Sequence, residues 1–164
     1  MRVLALWLAV ALTACTSAPP PDPDALLGQG EYEWEDLSDA DEVFVIQGPQ
    51  GGFHILASVR TKGIEAGNPD DLLDPSNPET NFSVVSAGVD LILTGQYLQG
   101  IAQAPEDADP WTHEMVGRFA ILDIDNDDVL DGVEITLSVS VVDADGIEVR
   151  DSRTLTATPH WANE

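Results

Sequence analysis

Val133, Ile135, Leu137, Val139 and Val141 alternate with Glu134, Thr136, Ser138 and Ser140. A period of two puts every aliphatic side chain on one face of an extended strand and every polar one on the other. A helix would scatter the same residues round its circumference. The run leads into Asp143-Ala144-Asp145-Gly146, and Asp-Gly is a strong two-residue hairpin signal. This predicts that 147–158 returns as the partner strand. Pro159 ends it, because proline cannot donate to a ladder.

The same pattern recurs upstream. Phe53, Ile55, Ala57 and Val59 alternate with His54, Leu56, Ser58 and Arg60. Met115, Gly117, Phe119 and Ile121 form a second series, and Val89, Leu91, Leu93 and Tyr97 a third. Residues 82–87 are shorter and less regular, and 43–46 is a short, fully apolar strand. No amphipathic helix is visible; 70–73 is read as a single helical turn. About seven strands with turn signals between them predict an all-β domain. The expected architecture is a two-sheet sandwich of immunoglobulin-like or fibronectin-like topology, with a small closed barrel as the alternative. No internal repeat suggests a propeller or solenoid. Two stretches rich in proline and acids, 66–80 and 99–112, break the rhythm as long loops, the usual seat of function.

Charge narrows the partners. The chain of 164 residues carries 30 Asp and Glu against 6 Lys and Arg, a net charge of -24. Nucleic acid is excluded as a partner, since its phosphates require a basic surface. Attraction to anionic lipid headgroups is excluded on the same ground. The single cysteine, Cys15, closes no internal disulfide.

That cysteine follows an export-type leader. Arg2 supplies a positive start, and residues 3–12 are uninterruptedly apolar. The run is roughly 15 Å long as a helix, about half a bilayer core, and so fits a signal peptide rather than a membrane span. Leu12-Thr13-Ala14-Cys15 resembles the lipobox of bacterial lipoproteins. The resemblance implies a signal peptide over 1–14 and lipidation of Cys15. The membrane is then a partner through that lipid, and each buried methylene adds about 0.8 kcal/mol, so several acyl chains make a stable anchor. Thr16 stands where this class carries Asp for inner-membrane retention, which points to the cell envelope and an outer-membrane lipoprotein. Pro19, Pro20, Pro21 and Pro23 follow, and then seven acids within residues 31–42. Residues 15–42 therefore read as an acidic, proline-rich tether and 43–160 as the sandwich.

Gly48-Pro49-Gln50-Gly51-Gly52-Phe53-His54, with Arg60 beyond it, resembles a stretch found in a group of bacterial lipoproteins without a known activity. It would extend loosely over about residues 43–157. The resemblance implies location and fold, and brings no mechanism.

Catalytic motifs are lacking. There is no Gly-x-Ser-x-Gly elbow and no phosphate-binding Gly-rich loop with lysine. His113-Glu114 starts like a zinc-protease helix, but Gly117 stands where the second histidine belongs. His54 and Arg60 share a strand face and offer an anion site, or simply a half-exposed face beside a glycine turn. His113 and Met115 offer copper ligands, or an edge histidine beside a buried methionine. Trp34, Trp111 and Trp161 read as caps of the sandwich, or as sugar-stacking surfaces.

The acidic stretch 123–134 resembles the calcium loop of EF-hands. Asp123, Asp125, Asp127, Asp131 and Glu134 fall at positions one, three, five, nine and twelve. Asp128 occupies position six, where a sharp turn asks for glycine, and strands rather than helices flank the loop. Calcium is thus a candidate cofactor, with a solvated acidic turn as the plainer reading. The expected function is a lipid-anchored binding or structural module, not an enzyme, with a protein or glycan partner left open. A calcium- or metal-binding accessory protein and a cell-envelope hydrolase are the alternatives.

Overall fold

The computed structural model describes residues 21–163. The expected signal peptide over 1–14 and the expected lipidation site Cys15 lie outside the described residues. Strands dominate: β1 Asp24–Gln29, β2 Glu35–Asp36, β3 Glu42–Gln47, β4 Phe53–Lys62, β5 Glu79–Ser86, β6 Val89–Asp90, β7 Ile92–Thr94, β8 Gln96–Leu98, β9 Ala102–Gln103, β10 His113–Leu122, β11 Val133–Val142 and β12 Glu148–Pro159. Seven of these have six residues or more, and the helical content is three short 3-10 turns among the described residues.

The first sheet runs β2–β1–β4–β10, with β7 and β9 along the far side of β10. The second runs β3–β12–β11–β5, with β6 and β8 on β5. All neighbours are antiparallel except β3 and β12. β3 serves both sheets. Its start lies beside 156–159 of β12, and its Ile46 and Gln47 then pair with His54 and Phe53 of β4. This is the strand order of an immunoglobulin-type sandwich. Inward residues follow the period of two: Leu27, Ile55 and Val59 from one sheet meet Leu137, Val141 and Leu155 from the other, each at most 1% exposed. Each such side chain contributes about 1.5–3 kcal/mol of burial.

The domain does not begin at Val43. Residues 24–29, expected within a solvated tether, form a full strand of the first sheet. Ala25 and Leu27 alternate inward, Leu37 is 4% exposed, and Lys62 pairs with Asp24 at 3.4 Å. The reading of 15–42 as tether and 43–160 as domain is corrected accordingly: the sheet takes over at Asp24.

Three smaller expectations also change. The closing hairpin has a five-residue loop, 143–147, instead of a two-residue turn. The buried Asp143 carboxylate accepts the N–H groups of Asp145, Ile147 and Glu65, which ties the 63–78 loop to the hairpin. The series 89–97 breaks into β6, β7 and β8. Gly95 lies so close to β5 that a Cβ there would sit 2.6 Å from the Phe82 carbonyl oxygen. Residues 70–73 form turns, not a helical turn. Asn68, Asp71 and Asp74 side chains accept the N–H two residues on, at 3.1, 2.9 and 2.9 Å, and so compete with helix formation.

Candidate functional site

The outer faces of the two sheets differ in kind. On the second sheet Ser83, Ser138 and Ser152 stand in register across β5, β11 and β12, beside a row of Asn81, Ser140 and Arg150. On the first sheet the corresponding rows are Ile46, His54 and Ile121 across β3, β4 and β10, then Leu56 beside Phe119. Phe119 is 48% exposed. The second face is a surface of hydroxyls with Asn81 and Arg150, and the first is apolar around His54 at the end nearest β3.

The Gly48–Gly52 turn completes a hollow there. Gly48 N–H donates to the Gly52 carbonyl at 2.8 Å and Gly51 N–H to the Gly48 carbonyl at 2.9 Å. Gly51 has φ +86, a conformation that glycine adopts without strain. The turn brings Pro49 and Gln50 opposite His54, Phe119 and Ile121 around a hollow of about 450 Å³. The His54 ring lies 4.4 Å from the Phe119 ring, centre to centre. Burial lowers the His54 pKa below its ordinary 6.5, and the Glu31 carboxylate works against that shift. The imidazole is therefore neutral near pH 7, able both to donate and to accept.

A second groove of about 300 Å³ lies beside the first. Phe44, Ile46, Leu56 and His160 form its apolar surface, and Gln29, Glu31 and Glu35 add polar groups. His160 meets Phe44 edge-on at 5.4 Å and packs against Trp161, itself 80% exposed. Glu31 is strapped down by the segment around it. β10 bulges between Met115 and Arg118, and Gly117 at φ +68 lies so close that a Cβ would sit 2.1 Å from the Glu31 carbonyl oxygen. Trp34 lies against Gly28, donates Nε1–H to Asp36 at 2.8 Å and carries the Arg60 guanidinium over its ring at 4.4 Å. Sequence reasoning missed Glu31 and Glu35 because their segment read as solvated tether; Gly28 followed six residues later by Trp34 was the available signal.

The other sequence candidates fall elsewhere. Arg60 is taken by Glu114 at 3.0 Å and by Trp34, so it forms no anion site with His54. His113 Nδ1 lies 3.0 Å from Thr112 Oγ1, while Met115 is buried in the core. Trp111 packs under Lys62 at 4.9 Å and Trp34 lies between Gly28 and Arg60, whereas Trp161 is 80% exposed. In the acidic stretch, 127–130 form a 3-10 turn capped by Asn126, whose side chain accepts Asp128 N–H at 2.9 Å. Asp127 accepts from the Asn163 amide, Glu134 lies on β11 beside Thr156, and Asp123, Asp125 and Asp131 are exposed. Among the described residues no three His, Cys, Asp or Glu side chains gather as a group that would hold a metal ion. No described helix is long and apolar enough to cross a membrane.

No protein-family profile, curated protein or solved structure matches the chain. The functional reading rests on the chemistry of the two sheet faces.

Proposed function

We propose that this is a lipid-anchored envelope protein, held at the outer membrane through Cys15, and a non-catalytic binding module that engages its partner with the outer face of the first sheet. The observation that carries the reading is the contrast between the faces. The second sheet meets water with serine and asparagine. The first carries half-buried Ile46, Leu56 and Ile121 and the exposed Phe44 and Phe119 near the Gly48–Gly52 turn. Contiguous exposed apolar surface of this kind marks an interaction site.

The direction of the chain supports the same reading. Pro21 lies against Gly63, just beyond the Lys62 end of β4, whereas His54 is at the other end. β4 has ten residues and so separates the two by roughly 30 Å. Cys15 stands nine residues before Asp24, a span of about 28 Å when extended. An anchor at Cys15 would thus join the domain at the end opposite the hollow.

Photo-crosslinking in the native cell tests this. A benzophenone side chain is placed at Gln50, beside the hollow, or at Ser138 on the second sheet, in chains with Cys15 or with Cys15→Ser. The expected result is palmitate labelling that requires Cys15 and a discrete adduct from Gln50 but not from Ser138. Labelling that survives Cys15→Ser overturns the anchor. Equal adducts from both positions, or none from Gln50, overturn the binding face.

A further inference from the structure

The chemistry of the first sheet also specifies the partner, an inference that rests on the binding-face reading above. Charge removes two occupants. A second copy of the chain would set -24 against -24, and an anionic lipid surface would be repelled in the same way. Four of the protein's described cations are already paired with carboxylates. Among the described residues Arg60, Lys62, Arg150 and Arg153 hold Glu114, Asp24, Glu148 and Asp151, and Arg118 packs over Tyr97 at 5.8 Å. Neither hollow is lined by a basic residue other than His54 and His160.

The groove beside Ile46 combines two chemistries. Phe44, Ile46 and Leu56 offer an apolar bed, and Glu31 and Glu35 offer carboxylates along the same groove. Both glutamates are exposed, and neither holds a cation among the described ion pairs. A side chain that satisfies both has a long aliphatic stem and a cationic head, which describes lysine and arginine. The adjoining hollow at His54 and Phe119 is apolar and lacks carboxylates, so it suits an uncharged side chain. The two flank the Ile46–His54 pair, within reach of two same-face side chains of one extended segment.

We propose that the outer face of the first sheet docks a basic segment of a partner polypeptide. The stem of a lysine or arginine lies on Phe44, Ile46 and Leu56 with its cation at Glu31 and Glu35. An apolar residue two positions away fills the hollow at His54 and Phe119.

The test uses the full chain in detergent and two peptides capped at both ends, Lys-Ala-Phe-Ala-Lys and Glu-Ala-Phe-Ala-Glu. Binding is read from the NMR signals of His54, Phe119 and Leu56. The lysine peptide is expected to shift these signals and leave Ser138 and Ser152 unmoved. Its affinity should fall at least about fivefold in Glu31→Gln with Glu35→Gln, and again as salt rises from about 0.05 to about 0.5 M. Both glutamates are exposed, so the double variant keeps its melting temperature. Shifts by the glutamate peptide of equal size, shifts spread over both sheets, or an unchanged affinity in the double variant overturn the basic-partner proposal. A Gln50 adduct in cells together with any of these results leaves the binding face standing and removes only the charge assignment.

Discussion

The backbone N–H of Leu27 donates to Asp151 Oδ2 at 2.8 Å, so β1 of the first sheet is fastened to β12 of the second. Asp151 and Arg153 point inward from β12, each side chain about one fifth exposed, and Arg153 Nε donates to the Leu37 carbonyl at 3.0 Å. β3 pairs only with 156–159 of β12, so residues 151–153 lie where that side of the strand is open, and inward charges there discourage pairing with another chain. Asp151→Ala leaves the Leu27 N–H without an acceptor and Arg153 without its carboxylate. The expected loss is about 2–3 kcal/mol, seen as a fall of roughly 5–10 °C in melting temperature. Asp151→Asn keeps an oxygen for Leu27 and should recover part of it. Equal melting of Asp151→Ala and the parent would show that the bond contributes nothing.

The N-terminal strand makes a second prediction. A chain beginning at Pro21 should fold, whereas one beginning at Glu42 should not. The latter lacks Leu27, Ala25 and Leu37, all buried. Losing one buried leucine costs about 2–5 kcal/mol, and a domain has only about 5–15 to lose. Urea unfolding followed by circular dichroism compares the two. A cooperative transition of similar midpoint in the shorter chain would return 24–41 to the tether.

How legible this fold was depended on local contrast. β4, β11 and β12 alternate buried with more accessible residues, and β10 does so on either side of its bulge, so the period of two reveals them. β1 has only Ala25 and Leu27 to alternate, and prolines just upstream mask them. The proposed binding face was half legible. The glycine turn and His54 stand out because the turn needs its glycines. Phe119 looks like one more core residue, because the Gly117 bulge shifts the register of β10 and leaves Phe119 outward beside Leu56. The spacing of acids in 123–134 suggests calcium, and spacing alone does not show that Asn163 donates to Asp127 from the far end of the chain.

Burial lowers the pKa of both His54 and His113 from 6.5. The unfolded imidazole therefore takes its proton at a higher pH than the folded one. Between those values the unfolded chain binds more protons, and stability rises with pH. The contribution is complete above 6.5 and is lost as pH falls through the folded values. His54→Gln should consequently narrow the gap between urea midpoints at about pH 7.5 and about pH 5. A His54 NMR titration should show its midpoint below 6.5. A midpoint above 6.5 reverses the sign and would mean that the Glu31 carboxylate outweighs burial.

Gly117 and Gly132 share φ +68 but differ in surroundings. A Cβ at Gly132 meets nothing within 4 Å, whereas one at Gly117 lies 2.1 Å from the Glu31 carbonyl oxygen. Gly132→Ala thus reports conformational strain alone, about 1–2 kcal/mol. Gly117→Ala should cost more than that and also displace Glu31 from its groove. Thermal unfolding of the two variants isolates the contact. Equal losses would mean that the 30–34 strap yields freely and does not hold the acidic wall in place.

Phe119 and Phe82 separate folding from binding. Phe82 is 3% exposed and Phe119 is 48% exposed. Phe82→Ala should cost about 3–5 kcal/mol, as a buried aromatic does. Phe119→Ala gives up only the covered half of its ring and the contact with His54, so about 1–2 kcal/mol is expected. The same variant should reduce the Gln50 photo-adduct at least about tenfold, since a central aromatic anchor carries a large share of an interface's free energy. A side chain that adds little to the fold and much to the adduct is held outward for a partner. A Phe119→Ala chain that melts like Phe82→Ala while keeping its adduct would make Phe119 a structural residue and move the binding face elsewhere.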